Sequence, residues 1–177
     1  MNRTLIASIE TEYQRYKTLG DGALKQLEDS QLGAGRGAFD NSIATIVWHI
    51  AGNLESRFTD FLTSDGEKPW RDRESEFEQR QVTRSEVLAK WERGWKILFD
   101  SVSQLSDGDL SRMVSIRGVP LAVHEALHRS LAHASYHVGQ IVYLAKAARG
   151  SEWTFLSIPP GGTAAYNKDP TLEKGRR

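Results

Sequence analysis

The sequence predicts an all-α chain folded as a four-helix bundle. Three observations lead there. Four long segments carry apolar residues at helical spacing, and two longer polar or glycine-rich connections interrupt them. The 177 residues, 39% hydrophobic and 26% charged, suit one domain over 1–177 with one core. The absence of cysteine removes disulfides and thiolate metal ligands, so packing must hold the fold.

The first segment spans residues 4–28, with Leu5, Ile6, Ile9, Tyr13 and Tyr16 on one stripe. Gly20 and Gly22 are the points where this helix is expected to bend or break. Residues 31–39 are glycine-rich and read as a loop. Asn41 or Ser42 is the expected N-cap of the second helix, which carries Ile43, Ile46, Val47, Ile50, Leu54, Phe58 and Phe61 on to residue 62. A long polar connection over 65–84 follows, with Trp70 and Phe77 expected to anchor it. Thr83 and Glu86 form a capping-box pattern for the third helix. Its stripe of Leu88, Trp91, Trp95, Leu98, Val102 and Leu105 is nearly heptad, which favours shallow packing angles. Residues 113–121 alternate weakly about Arg117-Gly118, consistent with a small hairpin. The fourth helix is expected over 121–148. Residues 153–170, with Pro159-Pro160-Gly161-Gly162, read as an ordered C-terminal loop without a further helix.

Charge and hydropathy exclude several function classes. Lys plus Arg equals Asp plus Glu at 23 each, so no basic excess points to nucleic acid. The short basic run 174–177 reads as a solvated end. No apolar run approaches the ~20 residues of a membrane span, and residues 1–12 do not resemble a signal peptide. A cytoplasmic protein with neither membrane nor nucleic-acid partners is expected.

Chemistry concentrates in the histidines. Of five, His124, His128, His133 and His137 lie in the last helix as two pairs four residues apart. That spacing puts both rings of a pair on one face, one turn apart, within reach of a shared ion. Spacing alone does not choose between the pairs. At ~100° per residue they face nearly opposite directions, with His133 and His137 on the side of Ser130, Ile141 and Leu144. His124 and His128 stand beside Glu125 and Arg129, whereas His133 and His137 are flanked by small and apolar residues. The inward pair is therefore the candidate. His49 shares an inward stripe with Ile46, Ile50 and Asn53 on the second helix and supplies a third ligand. The partner that would orient it is not identifiable from the sequence.

The run His133-Ala134-Ser135-Tyr136-His137-Val138-Gly139-Gln140-Ile141 closely resembles the last-helix motif of the DinB/YfiT-like family. Trp48-His49-Ile50-Ala51 resembles that family's first ligand region. Helix number, order and chain length agree over most of the chain, while 53–77 and 153–167 look like an uncharacterised bacterial subgroup. The resemblance implies a four-helix bundle with a three-histidine site at His49, His133 and His137, holding nickel or zinc, and a homodimer. It further implies a metal-dependent enzyme, most concretely a low-molecular-weight-thiol S-transferase acting on a small-molecule substrate. A metal-dependent hydrolase, a non-enzymatic metal-binding or stress-associated bundle, and an interaction module with unmetallated histidines are the competing readings.

Three neutral imidazoles leave open positions on a divalent ion, and all-nitrogen ligation suits zinc, nickel, copper or iron. With no cysteine in the chain, a reacting thiol would come from a cosubstrate. Asn53, one turn after His49, is a candidate to orient substrate or water, against a role as a helix-packing polar residue; Gln140, three residues after His137, is another, against an interhelical hydrogen bond. Trp48 and Tyr136 are candidates for the pocket mouth, against the commoner role of aromatic residues in a core. Arg57 is a candidate anion clamp, against an ion-paired surface role.

Overall fold

The computed structural model of the protein describes residues 2–35 and 40–171. Among these the chain is mainly helical. Helices α1 (Thr4–Lys25), α2 (Asp29–Leu32), α3 (Ile43–Phe58) and α4 (Arg84–Ser103) precede strands β1 (Met113–Ile116) and β2 (Val119–Ala122), followed by α5 (Val123–Arg149) and α6 (Thr163–Tyr166). The long helices α1, α3, α4 and α5 pack in a closed ring: α3 lies against α4 and α5, and α1 against α5 and α4. Their apolar faces meet in a core centred on Tyr13, Trp91, Trp95, Leu98, Leu127 and Ile141, all fully buried. Truncating either buried tryptophan to alanine is expected to cost about 3–5 kcal/mol. Tyr13 Oη donates to Leu127 O at 2.8 Å, tying α1 to α5 through the core. No described helix is long and apolar enough to cross a membrane.

Local chemistry sets the element boundaries. Ser42 Oγ accepts from Thr45 N at 3.1 Å and starts α3. Thr83 starts α4, and Glu86 Oε2 reaches back to Thr83 N at 2.8 Å. Helix α3 stops at Phe58, earlier than its apolar pattern suggested. The chain turns at Asp60, with φ of +50°, and Asp60 O takes Thr63 N and Ser64 N, both at 3.0 Å. Helix α1 runs through Gly20 and Gly22 without a break. A Cβ at Gly20 would enter the Trp91 indole, so this glycine permits close α1–α4 approach, offsetting its poor helix propensity.

Three further expectations need correction. The stretch read as loop from residue 31 begins inside the short helix α2, while 36–39 and 174–177 lie outside the described residues. The C-terminal segment is not wholly loop, since α6 forms within it. Trp70 is not a buried anchor: it is 56% exposed, and the neighbouring Arg71 turns inward instead.

The hairpin before α5 is present, with Met113 opposite Ala122 and Ile116 opposite Val119. Its turn residues Arg117 and Gly118 both have positive φ, 56° and 72°, the conformation that matches the right-handed twist of a two-residue hairpin. Asp65, from the α3–α4 connection, holds this turn. Its carboxylate accepts from Arg117 N, Gly118 N and Ser115 Oγ, each at 2.8 Å. Those bonds, with one from Glu67 N, hold the Asp65 carboxyl well below the usual carboxylate range.

Candidate metal centre

Where α3 packs against α5, His49 meets His133 and His137. One ring nitrogen from each lies within 4.8 Å of the other two. His133 Nε2 stands 3.2 Å from His49 Nε2 and 3.1 Å from His137 Nε2. Ligand nitrogens at 2.0–2.1 Å around a tetrahedral ion would be about 3.3 Å apart, a value that the two spacings from His133 match, while all three nitrogens stay within 4.8 Å.

The outer nitrogens explain why the inner ones are ready to bind. His49 Nδ1 lies 2.9 Å from Glu76 Oε2, in a pair that is almost wholly buried. Burial works against the Glu76 charge, but His49 and Arg71 outweigh it and hold the carboxyl below its ordinary value. An ionised carboxylate only accepts, so His49 Nδ1 carries a proton, and in the neutral ring Nε2 is then the atom with the lone pair. Arg71 fixes Glu76 with two bonds, Nε to Oε1 at 2.7 Å and Nη2 to Oε2 at 2.9 Å. On α5, His137 Nδ1 donates to Gln140 Oε1 at 2.7 Å, with Gln140 Nε2 turned to donate to Tyr136 Oη at 3.2 Å. His137 Nε2 is therefore also a bare acceptor.

His133 Nε2 sits between these two acceptors and has at most one proton to offer. Three inward nitrogens thus converge with too few hydrogens, an arrangement that a cation satisfies. Protons are poor candidates for that role near neutrality. Burial, then the repulsion that protonated His137 and His49 would exert, pushes the His133 pKa down to about 4. Burial lowers His137 as well, although its bond to Gln140 opposes the shift.

Gly52 makes room for the buried carboxylate. A Cβ there would stand 2.8 Å from the Glu76 carboxyl carbon and collide with Oε1. The Phe77 ring lies 4.8 Å from the His49 ring and covers its flank.

His49 and His133 open onto a cavity of about 190 Å³ between α3, the hairpin and α5. Phe58, Phe61, Val114, Ile116 and Ala126 supply its apolar wall, and Arg57, Arg71, Arg73, Arg117 and Arg129 its charge. Asn53 lines this space, as its place on the His49 stripe suggested. Trp48, Tyr136 and Gln140 do not. Trp48 lies under the Arg80 guanidinium, 4.8 Å from its ring centroid. Tyr136 is 63% exposed and flanks His137 from outside. Gln140 acts through His137, within its own helix. Arg57 is ion-paired with Glu67 at 3.1 Å and donates to Gly66 O. Sequence reasoning missed Glu76, Arg71 and Gly52. Only the glycine, one turn after His49 on its buried stripe, left a readable signal.

Helices and site together define a helical protein with a three-histidine centre spaced to hold a divalent ion. The chain belongs to the family described as "Protein of unknown function (DUF1572)", whose sequence profile matches residues 1–162 and so includes all three histidines. No curated protein matches the chain.

Proposed function

We propose that the protein is a DinB/YfiT-like four-helix bundle that binds a divalent ion, zinc or nickel, through His49, His133 and His137. On this reading it is a metal-dependent enzyme. The observation that carries the proposal is the set of inward Nε2 atoms, two of them fixed as acceptors by Glu76 and Gln140.

A divalent ion with three neutral imidazoles keeps an open position and supplies Lewis acidity, lowering the pKa of a water or thiol that reaches it. The chain's own residues do the rest. Glu76 and Arg71 lock His49, and Gln140 locks His137, so the ligand set needs little rearrangement. The cavity lies on the His49–His133 side, which favours a catalytic centre over a closed structural one. Asn53, within that cavity, is placed to orient a bound group. The apolar wall limits water around the reacting atoms.

The reaction class that best joins this centre to the family resemblance is transfer of a low-molecular-weight thiol to an electrophilic small molecule. The thiol gives up its proton, its sulfur bonds to the electrophilic carbon, and the displaced group leaves with the electron pair. The chain has no cysteine, so the sulfur belongs to the cosubstrate. The test is a screen of electrophiles with several low-molecular-weight thiols, using metal-loaded wild type and His137→Ala. The proposal expects turnover by the wild type alone. Turnover that is equal with and without metal would overturn it. The same reading takes the protein to be a cytoplasmic homodimer; Tyr136 and Tyr143, 63% and 70% exposed on α5, support a contact there. Light scattering at the monomer mass would contradict the dimer.

A further inference from the structure

The chamber beside the triad carries more positive charge than its ion pairs neutralise. Arg71 is buried and committed to Glu76, 2.7 Å away. One carboxylate, Glu67, is shared among Arg57 at 3.1 Å, Arg117 at 3.2 Å and Arg71 at 4.0 Å. Among the described residues Arg73 pairs with Glu74 alone, at 3.2 Å, and lies over the Phe77 ring; that glutamate is 87% exposed, so solvent screens the pair. Arg129 makes no hydrogen bond or ion pair among the described residues. No Asp or Glu lines the chamber. Asp65, behind the hairpin, has its carboxylate filled by Ser115 and the turn amides.

A second observation points into the same space. Ser130, next to Arg129 in sequence, lines the chamber and is 7% exposed. Its Oγ has no well-formed hydrogen bond among the described residues; Tyr13, which gives its own proton to Leu127 O, stands beside it only as an acceptor. A buried hydroxyl without a good partner, beside a free guanidinium, is an arrangement that an oxygen-rich anion completes.

We propose that this chamber binds a small organic anion, a carboxylate or a phosphate, with Arg129 as its principal contact and Arg117 at the rim. Guanidinium presents paired donors that match the oxygen spacing of either group. A volume of about 190 Å³ lies below the roughly 300–1,000 Å³ of drug-sized ligand sites, which restricts the ligand to a small molecule. The ligand's other end then points toward His49 and His133. Only this orientation rests on the metal-centre reading; recognition of the anion does not.

The test is calorimetric titration of metal-free and metal-loaded protein at fixed ionic strength. The probes are succinate, its neutral diamide succinamide, and inorganic phosphate. Succinate or phosphate is expected to bind and succinamide not, and the stronger of the two anions identifies the group preferred. Arg129→Gln is expected to weaken anion binding by about tenfold or more, with Arg129→Lys intermediate. Because Arg129 is exposed and unpaired, both variants should melt with the wild type, which separates lost binding from lost folding. Succinamide binding as well as succinate, unchanged anion affinity in Arg129→Gln, or no anion binding in either form of the protein would overturn the inference. Anion binding by a protein that takes up no metal would sink the metal-centre reading and leave this one standing.

Discussion

Helix α5 carries two His-x-x-x-His pairs, and they have different surroundings. His133 and His137 bring their Nε2 atoms to 3.1 Å, with ring centroids 4.5 Å apart. His124 and His128 are exposed, with centroids 6.2 Å apart, and His124 donates from Nδ1 to Leu110 O at 2.9 Å. The spacing is identical, so spacing does not make the site. What differs is the opposite helix and the outer nitrogens. The inner pair faces His49, itself held by a buried carboxylate, and its His137 has its tautomer fixed by Gln140. The outer pair meets solvent and a single backbone carbonyl. A ligand set is thus defined as much by what holds the far side of each ring as by the rings themselves.

Removing a ring from each pair breaks this contrast most sharply. His133→Ala or His137→Ala should lower zinc or nickel affinity by more than about 100-fold, beyond the usual cost of losing an orienting partner. His124→Ala and His128→Ala should leave it unchanged. Competition with a chromogenic chelator reads both.

The orienting groups come next. Glu76→Ala should lower metal affinity by about 10–100-fold, as His49 loses the acceptor that fixes its tautomer. Gly52→Ala should fall in the same range although it touches no histidine, because its methyl group occupies the space of the Glu76 carboxylate. Removing the Glu76 charge also strands Arg71, so stability must be followed in parallel. An unpaired buried charge costs on the order of 3–5 kcal/mol.

Acid should report on the inner pair without mutation. His133 has its folded pKa near 4, below the ordinary value of 6.5. Between those values the unfolded chain binds the proton more readily, so the stability of metal-free protein falls as pH drops from 6.5 to 4 and levels off below. With allowance for partial solvent screening, the contribution is roughly 2 kcal/mol. His133→Asn should flatten that part of the curve. Denaturant titrations at several pH values check this. The smallest effect is on the fold itself: His124→Ala and His128→Ala should each shift stability by less than about 0.5 kcal/mol.

The sequence made some of this legible and hid the rest for identifiable reasons. Periodicity located α1, α3, α4 and α5 because each buries one continuous stripe. Ser42 and Thr83 marked helix starts because their side chains do the capping. The inner histidines were separable from the outer pair because facing and local polarity follow from position along a helix. Glu76 was not legible. It sits in a short 3-10 turn (Ser75–Phe77) within a polar connection, where no periodic pattern signals that one carboxylate is buried among several exposed ones. Trp70 misled for the complementary reason: hydrophobicity suggested an anchor, but the ion pairs of Arg71 with Glu76 and Glu67 decide how that segment sits. The chamber was hidden too, since its arginines come from four separate stretches of chain and converge only in three dimensions.

The central claim is that α3 and α5 build a metal centre and that the outer face of α5 does not. Metal analysis after equilibrium dialysis of untagged protein tests it most directly. The wild type and the His124→Ala/His128→Ala double variant should each hold about one zinc or nickel ion per chain, and His133→Ala almost none. No bound metal in the wild type, or equal metal in His133→Ala, would contradict it.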